Sequence, residues 1–96
     1  MTMSRTRLVM GNWKMHGNLA DNAKLLAGLR AGAASAAVGT QLAVCVPFPY
    51  LAQAGEALKG TAVAWGAQDI STQQQGAFTG EVSGAMLKDF ACRYAL

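Results

Sequence analysis

The chain has 96 residues, of which 52% are hydrophobic and 14% are charged, and its formal net charge is +3. This length suits one small domain, and the apolar content is too high for a disordered protein. The basic residues are spread along the chain, which argues against a nucleic-acid-binding surface. No apolar run is long enough to span a membrane, and the pattern predicts no secretory signal. We therefore expect a cytoplasmic protein that contacts neither nucleic acid nor membrane.

The two cysteines, Cys45 and Cys92, lie within apolar runs and lack the close spacing of metal ligands or of a redox pair. Both are predicted to be buried free thiols. The methionines Met10, Met15 and Met86 are interpreted as packing residues, because no cluster of cysteine or histidine accompanies them. The sequence therefore predicts no metal site.

The first half of the chain predicts two strands separated by a helix. Residues 7–14 are predicted to form a strand, because the short apolar run Leu8-Val9-Met10 leads into Gly11-Asn12-Trp13-Lys14. Asn18 is a good N-cap, and the helical spacing of leucine and alanine predicts a helix over residues 19–36. Residues 42–46 are continuously apolar, as in a strand that is buried on both faces, and Pro47 ends that strand.

A second helix and a third strand follow. Pro49 suits the first turn of the helix, and Gly60 suits the position just past its end. Residues 62–67 predict the third strand. The polar loop over residues 68–80 is long, and loops of this length usually have a functional role.

The end of the chain predicts a short helix and a fourth strand. Ser83 is expected to cap the helix, with Met86, Leu87 and Phe90 on one face. Residues 92–96 resume a strand pattern. Alternation of strands and helices indicates an α/β fold with a parallel sheet. The spacing leaves open whether the sheet is a barrel segment, with helices on one side, or doubly wound, with helices on both.

Asn12 and Lys14 are candidate functional residues at the end of the first strand. Side chains alternate along a strand, so both are predicted to point to one face, with Trp13 on the other. A lysine ammonium beside an amide at the carboxyl end of a parallel strand can hold an anionic substrate and stabilise charge on its oxygen. An isolated Asn-x-Lys is more often a strand-end lysine that reaches solvent, so the pair alone does not indicate an active site.

Four longer segments are more specific than this pair. In chain order they are Gly11-Asn12-Trp13-Lys14-Met15-His16-Gly17, Cys45-Val46-Pro47-Phe48-Pro49-Tyr50-Leu51, Trp65-Gly66-Ala67-Gln68-Asp69 and Gly76-Ala77-Phe78-Thr79-Gly80-Glu81-Val82-Ser83. Together they resemble the first three strands and the long third loop of triosephosphate isomerases. The resemblance covers residues 7–96 and implies an N-terminal segment of a TIM (β/α)8 barrel, with residues 1–96 as a single partial domain.

The resemblance implies an isomerase that interconverts dihydroxyacetone phosphate and glyceraldehyde 3-phosphate, in glycolysis and gluconeogenesis, without a cofactor. It implies that Lys14 is catalytic and binds the substrate, and that Asn12 binds the substrate beside it. The glutamate base and the neutral histidine of this enzyme cannot be placed in the sequence, since both follow later in the family's chain. His16 is interpreted as an exposed loop residue. We therefore expect these 96 residues to be inactive alone.

The resemblance also implies contacts between subunits. Gln68 is implied to support the strand ends near the subunit contact of a homodimer. The long loop, with Phe78, Thr79 and Glu81, is implied to insert into a neighbouring subunit near that neighbour's Asn12 and Lys14. Less than half a barrel would expose two sheet edges and an inner face, so we expect these 96 residues to form a homo-oligomer.

Two rival hypotheses and several other polar residues remain. One rival is a self-associating structural module without chemistry, and the other is phosphate binding without turnover, which is weaker because the phosphate-cradling glycines are missing. The glycines of residues 55–61 have the spacing of a nucleotide P-loop, but they follow no predicted strand. The carboxylates are more simply interpreted as helix caps or solvated surface groups than as general bases. They are Asp21, Glu56, Asp69, Glu81 and Asp89.

Overall fold

The frame of the protein is one sheet of four parallel strands in the order β1-β2-β3-β4, in a computed structural model that describes residues 5–36 and 38–96. The strands are Arg7–Asn12 (β1), Thr40–Val46 (β2), Val63–Ala67 (β3) and Tyr94–Ala95 (β4). The strand order never reverses, so right-handed crossovers place every connecting helix on one side of the sheet. This arrangement confirms the predicted partial barrel and excludes the doubly wound alternative.

Three helices connect the strands. They are Leu19–Gly32 (α1), Leu51–Leu58 (α2) and Gly84–Asp89 (α3), with short 3-10 turns at Ala33–Ser35 and Phe48–Tyr50. Both predicted caps are confirmed. The Asn18 side-chain oxygen accepts a hydrogen bond from the Asp21 N–H at 2.8 Å, and the Ser83 hydroxyl accepts one from the Met86 N–H at 3.2 Å. Each bond satisfies a helix-end donor that has no partner within the helix.

The helix predictions are wrong at three points. The first helix ends at Gly32 rather than at residue 36, because glycine is a poor helix former and a 3-10 turn follows it. The second begins at Leu51, because a 3-10 turn contains Pro49. In the third, only Leu87 is buried, whereas Met86 and Phe90 are exposed. Phe90 lies past the end of this six-residue helix.

The strand bounds also differ from the prediction. The first strand ends at Asn12 rather than at residue 14, and the third begins at Val63. The second strand begins two residues earlier than predicted, at Thr40. The fourth is limited to Tyr94–Ala95, since the turn that closes α3 takes up Ala91, whose φ of 56° is left-handed.

The core lies between the sheet and the helices. Its buried side chains include Val44 and Val46 from β2, Leu26 from α1, and Leu51 and Leu58 from α2. Burying each leucine stabilises the fold by about 1.5–3 kcal/mol relative to exposure. None of the helices in the described residues is long and apolar enough to cross a membrane.

The other side of the sheet is called the inner face here. A Cβ at Gly11 would lie 3.7 Å from Val44 Cγ1, so Gly11 faces the helices and its neighbours in the strand face the opposite way. Met10 and Cys45 meet on the inner face, where their sulfur atoms are 3.4 Å apart. Strand register extends this face across the sheet. Its residues are Leu8, Met10, Asn12, Gln41, Ala43, Cys45, Ala64 and Gly66.

Both cysteines are free thiols, as predicted. Cys45 is buried, whereas Cys92 is only half-buried, so the prediction of burial is right for the first and overstated for the second. Burial raises the pKa of both thiols, because a low-dielectric surrounding disfavours the thiolate. At neutral pH both sulfur atoms are therefore protonated and weakly nucleophilic.

Gln41 ties the amino ends of three strands together. Its side-chain nitrogen donates to the carbonyl of Ala62, just before β3, at 2.9 Å, and to the carbonyl of Leu42 at 2.7 Å. Its side-chain oxygen accepts from the Arg93 guanidinium, just before β4, at 3.3 Å. These bonds hold the amino-terminal edge of the sheet in register.

The packing around Gly66 shows how closely β3 and β4 approach each other. A Cβ there would overlap the carbonyl group of Tyr94, whereas a Cβ at Gly28 in α1 has no neighbour within 4 Å. We expect Gly66→Ala to lower the free energy of unfolding by about 1–3 kcal/mol through overpacking. Gly28→Ala should raise it by about 0.5–1 kcal/mol, since alanine is the better helix former. Urea unfolding followed by circular dichroism measures both, and equal effects of the two variants would contradict the packing.

Candidate functional site

The Gln68 side chain joins the carboxyl ends of three strands. Its amide nitrogen donates to the carbonyl of Lys14 at 2.9 Å and to the carbonyl of Cys45 at 3.1 Å. A longer contact of 3.4 Å reaches the side-chain oxygen of Asn12. Since an amide nitrogen carries two hydrogens, the two shorter bonds use both of them. Gln68 itself directly follows β3, so one side chain fixes the segments that leave β1, β2 and β3.

Lys14 has a left-handed backbone, with a φ of 55°. The Asn12 side-chain oxygen accepts a hydrogen bond from the Lys14 N–H at 2.9 Å, and this turn ends β1. The prediction that strand alternation places Asn12 and Lys14 on one face therefore fails, since Lys14 lies outside the strand. What brings the two residues together is the turn and the Gln68 contacts.

Lys14 and Ala91 are the two residues other than glycine with a positive φ in the described part of the chain. At Ala91 the conformation ends α3, where its N–H donates to the Lys88 carbonyl at 2.9 Å. Lys14 ends no helix, yet a left-handed residue with a Cβ costs about 1–2 kcal/mol. Strain that neighbouring hydrogen bonds maintain at a strand end is a feature of functional sites.

The site at the carboxyl ends of β1 to β3 is open and basic. Lys14 and Asn12 are both exposed, and Gln68 is half-buried between them and the sheet. Among the residues described, no acidic side chain is hydrogen-bonded to any of these three. An exposed ammonium beside an amide can bind an anionic group and stabilise negative charge on an oxygen.

The first loop and the start of α1 are held against the 3-10 turn Phe48–Tyr50 and α2 by two further contacts. The Tyr50 hydroxyl donates to the carbonyl of Gly17 at 3.0 Å, and Asn22, which is buried, donates to the Gln53 side chain at 3.1 Å. These contacts fix the segment that follows Lys14. No local pattern in the sequence indicates these contacts, because each joins residues about thirty positions apart. His16 is exposed in this loop, as predicted.

The long third loop projects from the sheet. Its base is closed by a hydrogen bond from the Ser71 N–H to the Val82 carbonyl at 2.8 Å, and its tip by one from the Glu81 N–H to the Phe78 carbonyl at 3.0 Å. Phe78, Thr79 and Glu81 are all exposed. Within the described residues, no hydrogen bond connects them with Asn12, Lys14 or Gln68 of the same chain. The structure thus groups three of the predicted site residues and leaves the loop residues apart.

The five carboxylates occupy helices and loops, as predicted. Asp21 interacts with Asn18 at the start of α1, and the Asp69 side chain accepts a hydrogen bond from the Ile70 N–H at 2.8 Å. Glu56 and Asp89 lie on α2 and α3, and Glu81 lies in the long loop. In the described residues, no group of three or more histidine, cysteine or acidic side chains could hold a metal ion.

Comparison with known proteins supports the family that the four sequence segments suggest. A family model described as triosephosphate isomerase matches residues 7–96. The triosephosphate isomerase of Bordetella pertussis is 61% identical over 93 residues, which cover 97% of this chain and 37% of the relative. That of Cupriavidus necator is 61% identical over 92 residues, covering 96% of this chain and 36% of the relative. That of Thiobacillus denitrificans is 59% identical with the same coverage.

The match therefore runs through nearly all of this chain, whereas the chain spans only 36–37% of the length of these curated relatives. The matched region contains the β1 end, the Gln68 contacts and the projecting loop. With four parallel strands in barrel order and a family match over residues 7–96, the chain belongs to the triosephosphate isomerase family.

Proposed function

We propose that this chain supplies the lysine side of a triosephosphate isomerase site, where dihydroxyacetone phosphate and glyceraldehyde 3-phosphate are interconverted in glycolysis and gluconeogenesis. The left-handed Lys14, held by Gln68 at the carboxyl ends of three parallel strands, is the observation that carries the proposal. Catalytic and binding groups of (β/α)8 barrels lie at this end of the strands. The family and the named relatives support the reaction.

In this proposal Lys14 binds the anionic substrate and stabilises negative charge that develops on its carbonyl oxygen. Its ammonium is exposed at the rim, where a phosphate group or an enediolate oxygen can approach it. Asn12 has a double role. Its oxygen holds the Lys14 N–H, while its amide nitrogen remains a hydrogen-bond donor for substrate oxygen. No cofactor enters this chemistry, because the isomerisation consists of proton transfers at carbon atoms beside a carbonyl group.

We further propose that these 96 residues bind substrate without turning it over. Aldose–ketose isomerisation needs a base within about 3 Å of the proton that it removes. Asp69 is the carboxylate next in sequence to the site, but in the described residues its side chain bonds to the Ile70 N–H and makes no hydrogen bond with Asn12 or Lys14. Asp21 is likewise engaged with Asn18, at the start of α1. Isomerase activity of the purified 96-residue chain above that of a buffer control would contradict this part of the proposal.

The projecting loop supports the proposal of a homodimer, and the free thiols support a cytoplasmic location. Phe78, Thr79 and Glu81 form an exposed tip on a closed loop, which is a shape suited to insertion into a second subunit of a homodimer. In that dimer Thr79 would reach the partner's site, and Gln68 would support the site from below. Two free thiols suit a reducing compartment such as the cytoplasm.

The variant Lys14→Gly separates the conformational strain of the Lys14 backbone from the ligand-binding role of its side chain. We expect Lys14→Gly to raise the free energy of unfolding by about 1 kcal/mol, because glycine adopts a positive φ without strain. Affinity for dihydroxyacetone phosphate should fall at least about tenfold, since a charged hydrogen bond is lost. Urea unfolding and a titration followed by NMR chemical shifts measure the two quantities.

The matched control is Ala91→Gly at the other left-handed residue. It should raise stability by a similar amount and leave the affinity for dihydroxyacetone phosphate unchanged, because Ala91 closes α3 away from the site. Equal affinities of the wild type and Lys14→Gly would rule out the ligand-binding role of Lys14.

Gln68 and Gln41 form a second matched pair at opposite ends of the sheet. We expect Gln68→Leu to lower the free energy of unfolding by about 1–3 kcal/mol, because the Lys14 carbonyl loses its side-chain donor and the Cys45 carbonyl keeps only the Trp13 N–H. It should also weaken dihydroxyacetone phosphate binding about tenfold, since Lys14 is no longer held in place. Gln41→Leu should lower stability by a similar amount, through the same loss of donors, and should leave the affinity unchanged. The same two measurements apply, and weakened binding in both variants would show that Gln68 has no specific effect on the site.

A further inference from the structure

The first loop, residues 13–18, connects β1 to α1 and is anchored on both sides of a short exposed segment. On the β1 side, the Lys14 carbonyl accepts a hydrogen bond from Gln68 at 2.9 Å. On the α1 side, the Gly17 carbonyl accepts one from the Tyr50 hydroxyl at 3.0 Å. Two residues separate the anchors, so the backbone between them has few torsion angles that can change independently.

Tyr50 reaches the loop from a rigid support. It ends the 3-10 turn Phe48–Tyr50, which contains one proline and directly follows another, and proline fixes the backbone φ. The Tyr50 N–H donates to the carbonyl of Pro47 at 2.9 Å. The Tyr50 ring is half-buried and packs against the core between the sheet and the helices. The hydroxyl therefore joins an exposed loop to the packed core.

Burial does not require the bond between Tyr50 and the loop. Gly17 is exposed, so water can satisfy its carbonyl when Tyr50 does not. Asn22 provides the contrast, because its side chain is buried and its bond to Gln53 at 3.1 Å satisfies a donor that water does not reach. Packing therefore accounts for the Asn22 contact, whereas the effect of the Tyr50 contact is to fix the position of an exposed loop.

Gly17 is the point at which the loop would move without this bond. Its φ is 118°, and a Cβ there would lie 2.5 Å from Asn22 Oδ1, so the position requires glycine. Glycine has the greatest backbone freedom of any residue. The next fixed residue along the chain is Asn18, the N-cap of α1. Without the Tyr50 bond, the unanchored segment therefore extends from Met15 to Gly17 and includes the most flexible residue of the loop.

The anchor at Gly17 opposes relaxation of the strained Lys14 backbone. The Lys14 N–H is held by Asn12 at 2.9 Å and its carbonyl by Gln68 at 2.9 Å. Relaxation of the positive φ of Lys14 therefore breaks one of these bonds and displaces the chain that follows. Since that chain is fixed at Gly17, the displacement is resisted. Strained conformations persist where the surrounding contacts over-determine them.

We propose that Tyr50 is a positioning residue for the Lys14 site and acts through the Gly17 carbonyl. Its hydroxyl closes the loop, so that Lys14 keeps the left-handed backbone from which its ammonium binds the anionic ligand. The apparent affinity for a ligand falls in proportion to the fraction of molecules in the binding-competent conformation. Loss of the Tyr50 bond therefore lowers the affinity through the loop. The role of Tyr50 rests on the proposed function, which supplies the ligand, dihydroxyacetone phosphate.

The variant Tyr50→Phe removes the hydroxyl and keeps the ring. We expect the affinity for dihydroxyacetone phosphate, titrated by NMR chemical shifts, to fall about three- to tenfold, the effect of one net hydrogen bond. Thr61→Val is the matched control at the amino end of the sheet. It removes a hydroxyl that donates to the Leu58 carbonyl at 2.7 Å and accepts from the Val63 N–H at 3.1 Å. It should lower stability and leave the affinity unchanged.

Hydrogen exchange at the Lys14 amide tests the positioning without a ligand. Tyr50→Phe should accelerate this exchange about three- to tenfold, because protection of the amide reflects the equilibrium between the closed and the open loop. Thr61→Val should leave the Lys14 exchange unchanged while it accelerates exchange at Val44, in the strand that is paired on both sides. Circular dichroism establishes that both variants are folded.

A combined variant shows whether Tyr50 acts through Lys14. In the Lys14→Gly background, Tyr50→Phe should lower the affinity no further, because the side chain that Tyr50 positions is absent. A further loss of the full three- to tenfold in this background would assign Tyr50 a direct contact with the ligand and overturn the positioning role.

The remaining outcomes separate this role from the proposed function. Unchanged Lys14 exchange in Tyr50→Phe would overturn the positioning role. An unchanged affinity in Tyr50→Phe, where Lys14→Gly weakens binding, would also overturn it, as would an equal loss of affinity in Thr61→Val. If Lys14→Gly binds dihydroxyacetone phosphate as tightly as the wild type, the proposed function fails, and the exchange rates alone decide whether Tyr50 positions the loop.

Discussion

The side-chain amide of Gln68 is the contact on which the candidate site depends. Its nitrogen links the carbonyl of Lys14, just past β1, and the carbonyl of Cys45, near the end of β2, to the end of β3, at 2.9 and 3.1 Å. These bonds maintain Lys14 in a left-handed conformation that a lysine otherwise avoids. The half-buried Gln68 amide thus holds three strand ends together as one rigid rim. The Lys14 ammonium is exposed at this rim.

Glutamines hold both ends of this sheet, but with different consequences. At the amino end, Gln41 connects β2, β3 and the segment before β4, where the left-handed Ala91 closes α3. At the carboxyl end, Gln68 likewise connects three strand ends, and it also maintains the strained backbone of Lys14. The difference between the two ends is that the left-handed residue beside Gln68 is an exposed lysine, on which the proposed isomerase site depends, whereas the one near Gln41 is an alanine that closes a helix.

Local signals in the sequence account for most of the fold. Asn18 and Ser83 cap helices where predicted, and the continuous apolar run around Val44 forms a buried strand. The end of β1 was placed wrongly, because the turn at Lys14 depends on Gln68, which lies 54 positions away. Site residues could be named from a resemblance to a family, but their geometry could not. The acceptor at Cys45 is a backbone carbonyl, which every residue type carries, so the sequence cannot indicate this contact.

The most direct test of this account is hydrogen exchange and through-bond coupling at the Gln68 side-chain amide, measured by NMR on the uniformly labelled chain. The account predicts slow exchange of both Nε2 protons and measurable couplings to the carbonyl carbons of Lys14 and Cys45. Gln74, which is exposed in the long loop, provides the internal reference for a solvated side chain. Exchange of the Gln68 protons as fast as those of Gln74, with no coupling to either carbonyl, would contradict the central role of this amide.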